Sequence, residues 1–139
     1  MIKIKRFPLK DIKGKKGNLL KFVSRKDKFF NKFGEIYFSE IKYGKTKGWN
    51  YHKKNKCHLS VITGRVRFHI LKKKGEKTYF SHKVIISRKN YSMMIIPPKT
   101  FFSFKGLDRK NIIVNFMENL HDPKESLKFS EVKNIQIKD

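Results

Sequence analysis

The chain has 139 residues, of which 33% are charged and 38% are hydrophobic, and its formal net charge is +24. This length suits one domain over residues 1–139, and the 14% of aromatic residues supply enough apolar surface to exclude wholesale disorder. No apolar run is long enough for a membrane span, and the N-terminus lacks the apolar segment of a secretion signal. Because Cys57 is the only cysteine, no internal disulfide can form, and we expect a cytoplasmic protein.

The basic charge allows more than one interpretation. Lysine far outnumbers arginine, although arginine is favoured for base readout and for bidentate phosphate contacts. The lysines come with many Ile, Phe and Asn residues, a mixture typical of AT-rich coding DNA. We therefore expect a solvated basic surface or attraction of a small anionic ligand, and no nucleic-acid partner, although such a field attracts any polyanion.

Residues 1–33 are lysine-rich and weakly patterned, with a turn at 13–18 and one short strand at 19–23. From Gly34 onwards, short aromatic and β-branched runs alternate with Gly, Pro and Asn. These runs predict strands at residues 35–41, 48–52, 58–62, 65–70, 78–81, 84–86, 92–96, 101–104 and 112–117. A helical turn is predicted within residues 124–129. Repeated short strands indicate an all-β fold, an antiparallel sandwich or barrel.

Three segments follow the order and spacing of a known pattern. The first is GEIYFS at 34–39, the second runs from KGWNYHK at 47–53 to residues 64–66, and the third is IPPKTFFSFKGL at 96–107, closing at 121–123. Together they resemble the cupin family of dTDP-4-dehydrorhamnose 3,5-epimerases. The second segment is also similar to the Arg-Gly-x-His-x-His-Lys stretch of sugar-nucleotide 3,4-ketoisomerases. The resemblance implies a cupin-type antiparallel jelly roll, a nucleotide-sugar substrate, a role in surface polysaccharide biosynthesis, and a homodimer.

The chain departs from the family pattern at the positions that carry the chemistry. The family's catalytic base is a histidine two residues after the glycine of its Arg-Gly-x-His stretch, and Asn50 stands there. The family's substrate-binding arginine is matched by Lys47, and its later histidine by Phe102. The resemblance therefore leaves three readings open: a metal-independent 3,5-epimerase, a 3,4-ketoisomerase, or a cupin that binds a sugar nucleotide or an anionic saccharide without turnover.

Strand periodicity selects a replacement for the missing base. If residues 48–52 form a strand, Asn50 and His52 share one face, while Trp49 and Tyr51 take the other. His52 would then point into the same space as Asn50. A neutral imidazole there suits removal of a proton from a carbon beside a ketone. We therefore expect His52 to be the general base.

Two further histidines are catalytic candidates with ordinary structural alternatives. His58 could line the same cavity or be a hydrogen-bonded residue of the sheet. His121, before Asp122-Pro123, could supply an acid or cap a turn. Substrate contacts are expected from Lys47, Trp49, Asn50, Arg65 and Phe102.

The sequence lacks the metal-binding pattern of many cupins. That pattern combines His-x-His with a glutamate and a later histidine. Here Asn50 breaks the pair, and Asn55 and Lys56 occupy the place of the glutamate. Because one histidine does not make a first-row metal site, we expect no metal and no other cofactor.

Overall fold

The computed structural model describes residues 4–76, 78–126 and 136–138. Its strands, in chain order, are β1 (Lys5–Pro8), β2 (Asp11–Ile12), β3 (Leu19–Leu20), β4 (Glu35–Lys42), β5 (Thr46–Asn50), β6 (Cys57–Thr63), β7 (Arg65–Lys73), β8 (Thr78–Ser87), β9 (Ser92–Ile96), β10 (Phe101–Gly106), β11 (Lys110–Met117) and β12 (Gln136–Lys138). A 3₁₀ turn spans Pro123–Glu125. Within the described ranges, no helix is long and apolar enough to cross a bilayer.

Two five-stranded sheets make up the fold. The first sheet has the order β1-β9-β6-β11-β4, and all of its pairs are antiparallel. The second has the order β12-β8-β7-β10-β5 and is antiparallel except where β12 joins β8. Strands β2 and β3 form a separate antiparallel pair. The predicted all-β architecture with antiparallel sheets is confirmed.

Apolar side chains from both sheets meet in one buried layer. Alternation along β7 buries Val66, Phe68 and Ile70 completely, as the sequence pattern predicts. They pack with residues of the first sheet, among them Leu59 and Val61 of β6. Because side chains alternate along a strand, Ser60 between these two faces away from the layer.

Several predicted elements differ from the observed ones, and the short strand expected at 19–23 is confined to Leu19–Leu20. The strand expected at 48–52 ends at Asn50, since the chain beyond it bonds elsewhere: the main-chain N–H of Lys99 donates to the carbonyl of His52 at 2.7 Å. The runs at 78–81 and 84–86 form one strand, because the polar residues between them pair with β7 through their main chain. The helical turn is confined to Pro123–Glu125, and residues 127–129 lie outside the described part.

Candidate active site

A cavity of about 360 Å³ lies between the two sheets. One wall comes from β4, β6 and β11, and the other from β5, β10 and the chain that follows β5. Five of the predicted site residues line it: Trp49, Asn50, His52, Phe102 and His121. Larger hollows border the N-terminal segment, but their lining contains no histidine. The cavity between the sheets is therefore the candidate active site.

His52 lies in the wall of this cavity and is hydrogen-bonded to Glu125. Nδ1 of His52 lies 2.9 Å from Oε2 of Glu125, and their side chains are only 15% and 10% exposed. Because a carboxylate accepts hydrogen bonds and cannot donate them, Nδ1 carries the proton of the neutral ring and Nε2 keeps a lone pair. A carboxylate behind an imidazole orients a general base and stabilises the cation that forms when the base takes a proton.

The carboxylate of Glu125 is itself held by the main chain. Its Oε1 accepts hydrogen bonds from the N–H groups of Lys54 and Asn55 at 2.7 and 2.8 Å. The main-chain carbonyl of Glu125 accepts a further bond from the N–H of Lys53 at 2.8 Å. Desolvation raises the pKa of Glu125, but the two main-chain donors and the imidazole outweigh it and hold the pKa below its ordinary value. Glu125 is therefore ionised at neutral pH and fixes the tautomer of His52.

Tyr37 borders the cavity from β4. It is the cross-strand partner of Asn115 in β11, whose Nδ2 donates to the phenolic oxygen at 2.8 Å. Desolvation raises the pKa of Tyr37, nearby Cys57 adds to the rise, and the donor from Asn115 offsets part of it. The hydroxyl is therefore protonated at neutral pH and can donate to a bound molecule.

A β-bulge brings consecutive residues of β5 to the cavity. The pairing of β5 with β10 shifts by one residue between Lys47 and Asn50. Gly48, inside this stretch, has a φ of +128°, and a Cβ there would lie 2.8 Å from the Cβ of Ser103. Only glycine fits both conditions. Trp49 and Asn50 follow it, and both line the cavity.

The expected separation of faces along residues 48–52 is met in part. Trp49 and Tyr51 pack together against the buried residues Leu71, Tyr79 and Phe101, away from the contact between His52 and Glu125. Both also border the cavity, which pure alternation excludes. The bulge and the early end of β5 account for the difference.

Of the other two predicted catalytic histidines, one lies outside the cavity and one lies at its rim. His58 is fully buried on the far side of the first sheet, where its Nδ1 donates to the carbonyl of Phe116 at 3.0 Å. The neighbouring Leu59 faces the cavity, so alternation turns His58 away from it, contrary to expectation. His121 is exposed at the cavity rim, and its main-chain N–H donates to Glu35 at 3.0 Å.

The two predicted cationic contacts lie outside the cavity lining. Arg65 forms an ion pair with Asp108 at 2.7 Å. It lies five residues along β7 from Ile70, the cross-strand partner of Phe102. At about 3.3 Å per residue this is roughly 16 Å away, so Arg65 is not part of the site. Lys47 is closer but exposed, and its Nζ donates to the main-chain oxygen of Glu40.

The lining determines what chemistry the cavity can support. In the described part of the chain, its polar groups are imidazole, phenol, indole, amide and hydroxyl, without a lysine or an arginine. No three His, Cys, Asp or Glu side chains are grouped there so that they could hold a metal ion. A base and a protonated phenol in one cavity are suited to moving a proton on a bound molecule.

Neither a family model nor a curated protein matches the sequence, but solved structures do. A dTDP sugar isomerase from Desulfovibrio desulfuricans superposes with a TM-score of 0.83 at 25% identity, over 90% of this chain and 82% of that chain. A His-to-Asn variant of the 3,4-ketoisomerase QdtA from Thermoanaerobacterium thermosaccharolyticum, bound to TDP-4-keto-6-deoxyglucose, gives 0.76 at 17%, over 92% and 88%. The 3,5-epimerase RmlC from Legionella pneumophila, bound to dTDP-4-keto-L-rhamnose, gives 0.76 at 15%, over 97% and 82%.

These likenesses show the fold. The chain has the jelly-roll fold of the cupins that include RmlC and QdtA, and the resemblance drawn from its sequence is confirmed. Within that class, the Desulfovibrio dTDP sugar isomerase is a structure that it resembles in fold and, at 25% identity, in sequence.

Sequence reasoning missed two residues of the site, Glu125 and Tyr37. Glu125 lies 73 residues from His52, and strand periodicity carries no information about such a long-range pair. For Tyr37 a signal was present: alternation along β4 places it on one face with Ser39 and the buried Ile41.

We expect Glu125→Ala to lower the free energy of unfolding by about 2 kcal/mol at neutral pH, because hydrogen bonds to a charged group contribute about 1.5–3 kcal/mol. The pKa of Glu125 is lower in the folded chain than its ordinary value of 4.5. Its stabilisation is therefore present above that value and is lost as the pH falls through the folded-state pKa. Urea unfolding at about pH 7 and about pH 3.5 measures the difference.

The exposed Glu40→Ala is the matched control and should cost little at either pH. An equal loss for Glu125→Ala at both pH values would contradict an ionised, hydrogen-bonded carboxylate.

Proposed function

We propose that the chain is a metal-independent sugar-nucleotide isomerase that enolises a nucleotide-linked 4-keto-deoxy sugar, as in the 3,5-epimerase-like cupins. The hydrogen bond of Glu125 to His52, which lies in the cavity wall, carries this proposal. The similar structures support it, since they are a dTDP sugar isomerase, a 3,4-ketoisomerase and a 3,5-epimerase. We place the reaction in surface polysaccharide biosynthesis, in the cytoplasm, where the free thiol of Cys57 stays reduced.

His52 is the proposed general base. Its Nε2 takes the proton from a carbon beside the ketone, and Glu125 stabilises the imidazolium that forms. The electron pair of the broken C–H bond becomes the second bond of the enolate, and the carbonyl π electrons move onto oxygen. Asn50, in the same wall, is proposed to hold the substrate's hydroxyl or ketone in register through its amide.

Tyr37 is the proposed donor for the other half of the reaction. It lies in the wall formed by the first sheet, whereas Asn50 belongs to the second sheet. Its O–H stabilises the enolate oxygen, and the carbon is reprotonated by the imidazolium or by the phenol. His121, at the cavity rim, is the second candidate for this acid. Substrate and product are isomers, so the balance of atoms and electrons needs no external oxidant or reductant.

Two fates of the enolate share this chemistry. Reprotonation on the opposite face of the same carbon gives the epimer. Delivery of the C3 proton to C4, with the proton of the C3 hydroxyl moving to the C4 oxygen, gives the 3,4-ketoisomer. A different function, binding of a sugar nucleotide or an anionic saccharide without turnover, is favoured by one observation. Asn50 and Phe102 line the cavity at positions that the resemblance aligns with histidines of the family's site.

We expect His52→Asn to reduce solvent deuterium exchange into a competent 4-keto sugar nucleotide by about a thousandfold, because general-base catalysis contributes about 10²–10⁴. Nucleotide affinity should be nearly unchanged. Mass spectrometry of a panel of such substrates measures exchange, and His82→Asn, on the exposed face of β8, is the control that should exchange normally.

Exchange that survives His52→Asn would remove His52 from the role and pass it to His121. A wild-type protein that exchanges nothing across the panel would favour the binding function instead.

Nucleotide binding can be tested separately from turnover. We propose that Trp49 and Phe102 provide stacking surfaces and that Lys47, beside the cavity, contacts the diphosphate. We expect dTDP, UDP or GDP to raise the melting temperature, since saturation at about 100 times Kd adds about 2.7 kcal/mol to stability. Trp49→Ala should abolish most of this shift. Tight DNA binding at physiological salt, with no shift from any nucleotide, would refute this ligand class.

A homodimer is the proposed assembly. β4 lies at the edge of the first sheet, and its outward side chains Ile36 and Phe38 are 43% and 64% exposed. A symmetric partner would cover both the edge and this apolar surface. We expect light scattering at micromolar concentration to give the mass of a dimer. Phe38→Lys should shift it towards the monomer, while Phe80→Lys, on the exposed side of β8, should not. A monomeric wild-type protein would contradict the assembly.

A further inference from the structure

We propose that Asn115 is a positioning residue that sets the direction of the Tyr37 hydrogen bond, so that the phenol donates into the cavity. The inference rests on the proposed function and concerns a residue that acts through another. Asn115 is 5% exposed in β11, where it pairs with Tyr37 of β4 on one side and Leu59 of β6 on the other. These three residues form a row across the first sheet, and all three line the cavity.

The main chain fixes the orientation of the Asn115 amide. The N–H of His58 can only donate, and it lies 3.2 Å from Oδ1 of Asn115. The other end of the amide is therefore the NH₂ group, which donates to the phenolic oxygen of Tyr37 at 2.8 Å and to Sδ of Met117 at 3.3 Å. A flipped amide would face the N–H of His58 with a second donor and leave that buried group unpaired, which costs about 1–3 kcal/mol.

This orientation decides the role of the phenol. Tyr37 has one O–H, and its oxygen already accepts from Asn115, so the proton must point towards another partner. The cavity lies beside it. The donor from Asn115 also stabilises the phenolate and lowers the pKa of Tyr37 against the rise caused by desolvation. Asn115 thus orients the O–H of Tyr37 towards the cavity and lowers the pKa of its phenol.

Asn115→Asp reverses this hydrogen bond with almost no change of shape. One carboxylate oxygen still accepts from His58, but the other must accept the proton of Tyr37 and turn it away from the cavity. We expect kcat for exchange to fall about 100-fold at about pH 8, as for loss of a general acid. A buried carboxyl has a raised pKa, and below it the neutral acid donates to Tyr37 as the amide did. The rate relative to wild type should therefore recover as the pH falls.

Tyr37→Phe separates positioning from support of the fold. In that background Asn115→Asp should change the exchange rate less than about twofold, because the group through which it acts is gone. A full additional loss there, or a loss that is equal at every pH, would overturn the proposal.

A titration that needs no substrate keeps the inference testable if the proposed function fails or if Asn115→Asp does not fold. Asn115→Ala removes the donor without adding charge and should raise the pKa of one tyrosine, followed by ultraviolet absorbance. The Tyr37→Phe variant identifies that tyrosine by its absence. An unchanged pKa of Tyr37 refutes the inference. A raised pKa in a protein that exchanges nothing supports the positioning of Tyr37 and refutes only the proposed function.

Discussion

The carboxylate of Glu125 joins segments of the chain that are 70 residues apart. It accepts two main-chain N–H groups from the segment after β5 and one N–H from His52. These bonds satisfy the main-chain N–H groups of Lys54 and Asn55, which lie beyond the end of β5 and have no partner in β10. They also hold the imidazole of His52 in the cavity wall. A mobile imidazole would have to be ordered in each turnover, whereas this one is ordered when the protein folds.

Two rows of side chains form the walls of the cavity. One row crosses the first sheet through Tyr37, Asn115 and Leu59, and the other crosses the second sheet through Asn50 and Phe102. Each wall is therefore set by register, so a slip of one residue in any of these pairs would replace cavity-facing groups with outward-facing ones. The register is interrupted at two places in these walls: the pairing of β11 with β6 shifts between Ile112 and Ile113, and the bulge at Gly48 brings the indole of Trp49 to the cavity beside Asn50.

Period-two alternation carried the fold prediction, because each strand of an antiparallel sheet has one buried face. It identified β7 through Val66, Phe68 and Ile70, and it placed His52 near Asn50. The expectation that His58 lines the cavity was wrong, since Leu59 and Val61 are the side of β6 that faces the core and the cavity, and His58 faces away. Arg65 could not be located because alternation gives the face of a residue but not its distance from a site. Glu125 lay beyond prediction, since only the folded chain brings it to His52.

The cavity carries no lysine or arginine in its described lining, although the chain as a whole has a net charge of +24. The groups that line the cavity are therefore neutral, whereas the charge that attracts anions over a distance lies on the surface outside it. For the anionic ligand proposed above, the field of the surface lysines, Lys47 among them, would raise the rate of arrival, while the neutral donors and rings of the lining would hold the rest of the molecule. Added salt screens the first effect over about 8–10 Å and leaves the second nearly intact. Ionic strength would thus act mainly on the capture of such a ligand, and the surface lysines away from the cavity can vary without changing the geometry of its lining.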